Sequence, residues 1–107
     1  MRGSVKVLHV EWDEGNLTHF VVDNADREIS PEDAEEVIFA LPNPTRAIAI
    51  AYKGQEQILF FGRTTEGRCL LVAAEPFGQG GVRPITARDM TKNEARKYLG
   101  WCRTVKR

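Results

Sequence analysis

Four β-like runs, TRAIAIAY, QILFFGRT, RCLLVAAEPF and VRPITAR, follow one another between Thr45 and Arg88. Only short turn segments carrying KGQ, TEG and GQGG separate them. Connections this short join antiparallel neighbours, because a parallel crossover needs about a dozen residues or more. The repeated turn signals predict an antiparallel meander as the centre of the fold. Pro84 has no amide hydrogen for a ladder and belongs at an edge or a bulge of the last run.

The flanking segments change period. VKVLHVEW alternates, with Leu8, Val10 and Trp12 on one strand face, Lys6 in phase with them, and His9 and Glu11 on the other. WDEGNLTHFVV predicts a short helix capped by Asp13, with Leu17, Phe20 and Val21 along its apolar stripe. SPEDAEEVIFALPNP reads as a second helix. Ser30 caps it, Pro31 takes the first helical position, and Ala34, Val37, Ile38 and Leu41 are the buried stripe, with Pro42 and Pro44 as the stop. A last helix starts at the capping box Thr91-x-x-Glu94 and buries Ala95, Tyr98 and Cys102, with Leu99 at the margin. The order β-α-α-β-β-β-β-α describes a single α+β domain over 1–107, with helices covering an antiparallel sheet.

The chain of 107 residues is long enough for one domain and too short for two. No apolar run reaches membrane-spanning length and no cleavable leader pattern opens the chain, so the expected location is the cytoplasm. Cys69 and Cys102 lie in apolar settings and read as buried free thiols. His9, His19 and the acids Glu32, Glu35 and Glu36 have no metal-ligand spacing; neither a metal nor another cofactor is expected. His19 falls on the polar side of the first helix and reads as surface.

A formal net charge of zero conceals an asymmetry. Glu11 to Glu36 holds ten acids against Arg27, whereas Arg83 to Arg107 holds eight bases against Asp89 and Glu94. The basic end fits either a polyanionic partner or a charge-complementary contact within or between chains. On the last helix Lys92, Arg96 and Arg103 fall within about 40° of each other, beside the buried stripe. They suit phosphate binding, and equally suit snorkelling around an apolar face. Arg83 and Arg88, five residues apart, would point to opposite faces of an unbroken strand, and a bulge at Pro84 would change that. Arg63 either joins this cluster or stays apart from it, while Arg68 reads as paired with Glu66 or solvated.

WDEGN near the start, ISPEDAEEV, FFGRTTEGRCLLV and RPITARDMTKNEARKY resemble, in the same order, the BrnT family over roughly residues 9 to 99. That family comprises small RelE-like ribonuclease toxins of bacterial type II toxin–antitoxin systems. The resemblance implies metal-independent RNA cleavage by attack of the substrate's own 2′-hydroxyl. It also implies inhibition by a small ribbon–helix–helix antitoxin. Matched onto this chain, it makes Arg63, Arg83 and Arg88 the catalytic phosphate-holding residues and Lys92, Arg96 and Tyr98 RNA-binding candidates. Tyr98 is alternatively a core residue with a bonded hydroxyl. The family's His-Gly segment between the first two helices has no counterpart in VVDNADREIS. A catalytically inactive protein- or RNA-interaction module of the same fold is therefore the alternative, and self-association of acidic and basic helices is a third expectation.

Overall fold

A computed structural model describes residues 7–105. The elements are β1 (His9–Val10), α1 (Glu14–Asp23), α2 (Pro31–Ile38), β2 (Arg46–Tyr52), β3 (Gln55–Arg63), β4 (Cys69–Phe77), β5 (Gly81–Asp89) and α3 (Lys92–Cys102). Lys6, assigned above to a strand face, lies outside the described residues.

The four predicted runs form the meander. β2, β3, β4 and β5 pair antiparallel in sequence order. Lys53 and Gly54, both at positive φ, turn β2 into β3 as a two-residue hairpin requires. The expectation of a wholly antiparallel sheet is corrected at the edge: β1 pairs parallel with β5, His9 opposite Gly81 and Val10 opposite Val82. Apolar alternation marks a strand without specifying its neighbour. The strand is also shorter than VKVLHVEW suggests, and Leu8 is 65% exposed rather than sharing a buried face.

α1 and α2 cover one face of the sheet. Phe20, Ala34, Val37 and Ile38 pack with Ile58, Phe60, Leu70, Val72, Ala74, Val82 and Ala87 in a single core. Trp12 closes against Phe20 edge-on, ring centroids 5.3 Å apart. All three N-caps hold, with reciprocal capping boxes at Asp13, Ser30 and Thr91. α2 stops earlier than its prolines suggest. Ala40 is left-handed (φ 57°), Leu41 N–H donates to Glu36 O at 3.0 Å, and Ala40 N–H donates to Val37 O at 3.2 Å. Those two bonds form a Schellman ending, and it turns Leu41 out to 63% exposure instead of into the predicted stripe.

α3 lies over the opposite face, so the helices sandwich the sheet instead of covering one side. Tyr98 is its buried anchor and donates to Pro44 O at 2.5 Å. Glu94, Lys97 and Tyr98 share a hollow with Arg46, Ile48 and Phe61, which all stand on that face. Cys69 and Cys102 are free thiols, only half-buried, and burial pushes the Cys69 thiol above its ordinary pKa.

Candidate functional site

The register of β5 places the two central arginines. Arg83 stands opposite Glu75 and Arg88 opposite Leu71, two positions four apart on β4 and hence on one face. Five residues of β5 span those four because the ladder shifts beside Pro84, between the pairs Ala73–Thr86 and Ala74–Pro84. Of the two places open to the proline, an edge or a bulge, the strand takes the bulge, and it turns Arg83 and Arg88 to the same side of the sheet.

Each arginine is held by carboxylates. Arg83 donates from Nη2 and Nε to Asp13 Oδ2 at 2.7 and 3.0 Å, and from Nη1 to Glu75 at 3.2 Å. Asp13 also accepts from Asn16 N–H at 2.9 Å as the cap of α1. That backbone bond, followed by Arg83, holds its pKa below the usual carboxylate value. Arg88 grips Glu94 with both terminal nitrogens, at 2.8 and 2.9 Å. The guanidinium and the Thr91 amide together draw Glu94 down to about 2 against its desolvation.

Arg63, at the end of β3 opposite Cys69, forms no ion pair with a carboxylate among the described residues. Its Nη2 reaches Asn43 Oδ1 at 3.5 Å, and its buried Nε has no hydrogen-bond partner among the described residues. Arg88 lines a hollow of about 170 Å³ with Arg27, Leu71, Ala73, Thr86 and Ala87; neither Arg63 nor Arg83 lines it. The bulge therefore brings Arg83 and Arg88 to one face; Arg63 stands on the same face, opposite Cys69, but beneath α3 and outside the Arg88 hollow.

Of the α3 candidates, Lys92 and Arg96 are exposed, Arg96 bonding Asn93 at 3.0 Å. Tyr98 is 2% exposed and takes the core role left open for it. Burial first, then Cys102, raises its hydroxyl pKa. Arg68 pairs with Asp89 at 2.7 Å, not with Glu66, and also bonds the Arg27 and Glu28 carbonyls. His19 meets Asp23 at 2.9 Å on the outer side of α1.

Arg27 escaped the sequence reading. Its guanidinium bonds Asn24 Oδ1 at 2.9 Å and Ala87 O at 3.0 Å, which carries it to the hollow beside Arg88. The available signal was its position as the lone base among ten acids. Among the described residues, no three His, Cys, Asp or Glu side chains converge to hold a metal ion.

Chemically, this face offers guanidinium pairs spread along one strand rather than one deep pocket. The Arg83 and Arg88 ion pairs are solvent-accessible, with arginine side chains 29% and 44% exposed. Exposed pairs contribute roughly 0–1 kcal/mol, so a phosphate can compete for these forks. No protein-family model matches the chain, and no curated protein matches it significantly.

Proposed function

We propose that this chain is a BrnT-like ribonuclease toxin with a RelE-like fold, acting in the bacterial cytoplasm and restrained by a small ribbon–helix–helix antitoxin. The observation that carries the reading is the β5 bulge, which sets Arg83 and Arg88 on one face with Arg27 alongside. The two arginines lie about 13 Å apart along the strand, a separation suited to different phosphates of one RNA strand rather than to a single phosphate. In the proposed reaction a substrate 2′-hydroxyl loses its proton and attacks the adjacent phosphorus. The 5′-oxygen leaves with a proton, and Arg88 balances the charge on the phosphoryl oxygens. Arg83 orients the flanking backbone, Arg63 supports from beneath α3, and Lys92 and Arg96 extend the contact surface.

A second reading has specific support. Both strand arginines are occupied by carboxylates, and Tyr98, the candidate for proton transfer, is engaged in the core. That arrangement favours a module that binds RNA or protein without cutting. Expression without an antitoxin and incubation of purified protein with RNA in EDTA separate the two. Growth arrest and cleavage, both lost in Arg88→Ala, support the toxin. Harmless expression with RNA retention on a filter supports the binding module. Cleavage at full rate by Arg88→Ala removes the assigned site.

A further inference from the structure

The two edges of the sheet are treated differently. Along the β5 edge, Glu11 N–H donates to Val82 O at 2.8 Å, Asn16 Nδ2 to Pro84 O at 3.3 Å, and Arg27 to Ala87 O at 3.0 Å. That side is closed by β1 and by polar side chains. At the other edge, β2 pairs only with β3, and no hydrogen bond reaches its outer side among the described residues. β2 also lacks the usual edge protection. It contains no proline, no bulge and no charge between Arg46 and Lys53. Ile48 and Tyr52 on this strand are 37% and 53% exposed.

The residues of β2, Arg-Ala-Ile-Ala-Ile-Ala-Tyr, read the same in both directions about Ala49 except at the two ends. A two-fold axis through Ala49, perpendicular to the sheet, pairs the strand antiparallel with itself. Ile48 then faces the partner copy's Ile50, Ala47 faces the partner copy's Ala51, and Ala49 faces its own counterpart. The unlike ends are complementary, since Arg46 meets the partner copy's Tyr52. The partner copy's Arg46 then approaches a ring that Lys53 Nζ already overlies at 5.4 Å, so the aromatic face is shared by two cations.

Side-chain parity gives this register a receptor. Arg46, Ile48, Ile50 and Tyr52 share one face of the sheet, as their β3 partners Phe61, Leu59, Gln57 and Gln55 require. On that face lies a hollow of about 250 Å³ lined by Arg46, Ile48, Phe61, Glu94, Lys97 and Tyr98. Directly opposed residues stand about 5 Å apart at Cβ, which puts the partner copy's Tyr52 at the mouth of the hollow. We propose that β2 is a self-association edge, at which two copies pair about Ala49 into one continuous sheet and each Tyr52 enters the partner's hollow. The contact is isologous and therefore closes as a dimer rather than growing into a fibre. The neutral net charge opposes it with no long-range repulsion. The inference does not rest on the RNA reading.

Sedimentation of the full chain across micromolar to submillimolar concentrations tests it. The wild type should pass from monomer to dimer, and salt should not weaken it, since the strand centre is apolar and the end charges, Arg46 and Lys53, are alike. Ala49→Lys and Ala49→Glu each place like charges face to face on an exposed residue. Each should weaken association at least about tenfold, with thermal unfolding at dilute concentration confirming an intact fold. An equimolar mixture of the two variants should recover the dimer, and Tyr52→Ala should weaken association several-fold without the charge effect. The proposal is overturned by a wild type that stays monomeric at the highest concentration, which would leave the edge to the chain's own N-terminal residues or to another protein. It is equally overturned by a dimer that salt dissociates, by a dimer indifferent to Ala49→Lys, or by a mixture that fails to pair.

Discussion

Glu94 does two jobs with one carboxylate: it accepts a bond from the Thr91 N–H at 2.9 Å and it holds Arg88. Its folded pKa lies near 2 against an ordinary 4.5, so the folded state binds fewer protons in that interval. The stabilisation is therefore complete above about pH 4.5 and is lost as the pH falls towards 2. Glu94→Gln keeps the cap acceptor and removes the charge. Chemical denaturation should show Glu94→Gln less stable than wild type at neutral pH, the gap closing between pH 4.5 and 2. The same variant releases Arg88. Under the proposed function it should bind RNA more tightly, with a salt dependence steeper by about one phosphate contact. An unchanged salt slope would count against Arg88 as a phosphate ligand. Asp13 is the parallel case at the start of α1. Asp13→Ala should lower the denaturant midpoint through the lost cap, with Asp13→Asn recovering most of the loss in equilibrium unfolding.

Elements show where local chemistry suffices and where it does not. The three N-caps and the Thr91 capping box were legible because a cap needs only residues three apart; the reciprocal bonds at Asp13 and Ser30 came from the structure. The end of α2 was not, because no glycine marks it. An alanine takes the left-handed position instead, and the two prolines downstream suggest a later stop. Ala40→Gly relieves that backbone and should stabilise the protein by about 0.4–1 kcal/mol, read as a raised denaturant midpoint with unchanged slope. Gly62 is the opposite case. A Cβ there would meet Thr45 Oγ1 at 2.7 Å and Val37 Cγ1 at 2.9 Å, where α2 crosses β3. Thr45 is itself tied to the Val37 carbonyl and has little room to yield. Gly62→Ala should therefore cost about 1–3 kcal/mol in the same measurement.

At the scale of the whole molecule, the charge asymmetry is partly consumed inside the fold. Asp13 of the acidic stretch neutralises Arg83 of the basic one, and Glu94 and Asp89 engage Arg88 and Arg68. Net charge and segment counts could not reveal this, since they record which charges exist and not which meet. The single core makes the domain cooperative. Phe60 is 1% exposed on the interior strand β3, and Phe60→Ala should cost about 3–5 kcal/mol, a large share of the roughly 5–15 kcal/mol typical of such a domain. Circular dichroism should then show a single, much lower melting transition. No helix among the described residues is long and apolar enough to cross a membrane.

By itself the sequence determined the meander, the helix caps and the placing of Pro84 at an edge or a bulge, because turns, caps and a missing amide act over a few residues. It also supplied the palindromic strand, without showing that this strand stands at an open edge. Tertiary structure alone decided that the first strand runs parallel to the last and that α3 takes the opposite face. It also decided that Arg83 and Arg88 share a side, that Arg63 on the same face stays out of their ion pairs beneath α3, and that Arg27 joins them from 60 residues away. Those outcomes depend on which surfaces meet after the chain has collapsed. Burial and charge pairing across long loops settle them, and neither leaves a local mark in the order of residues.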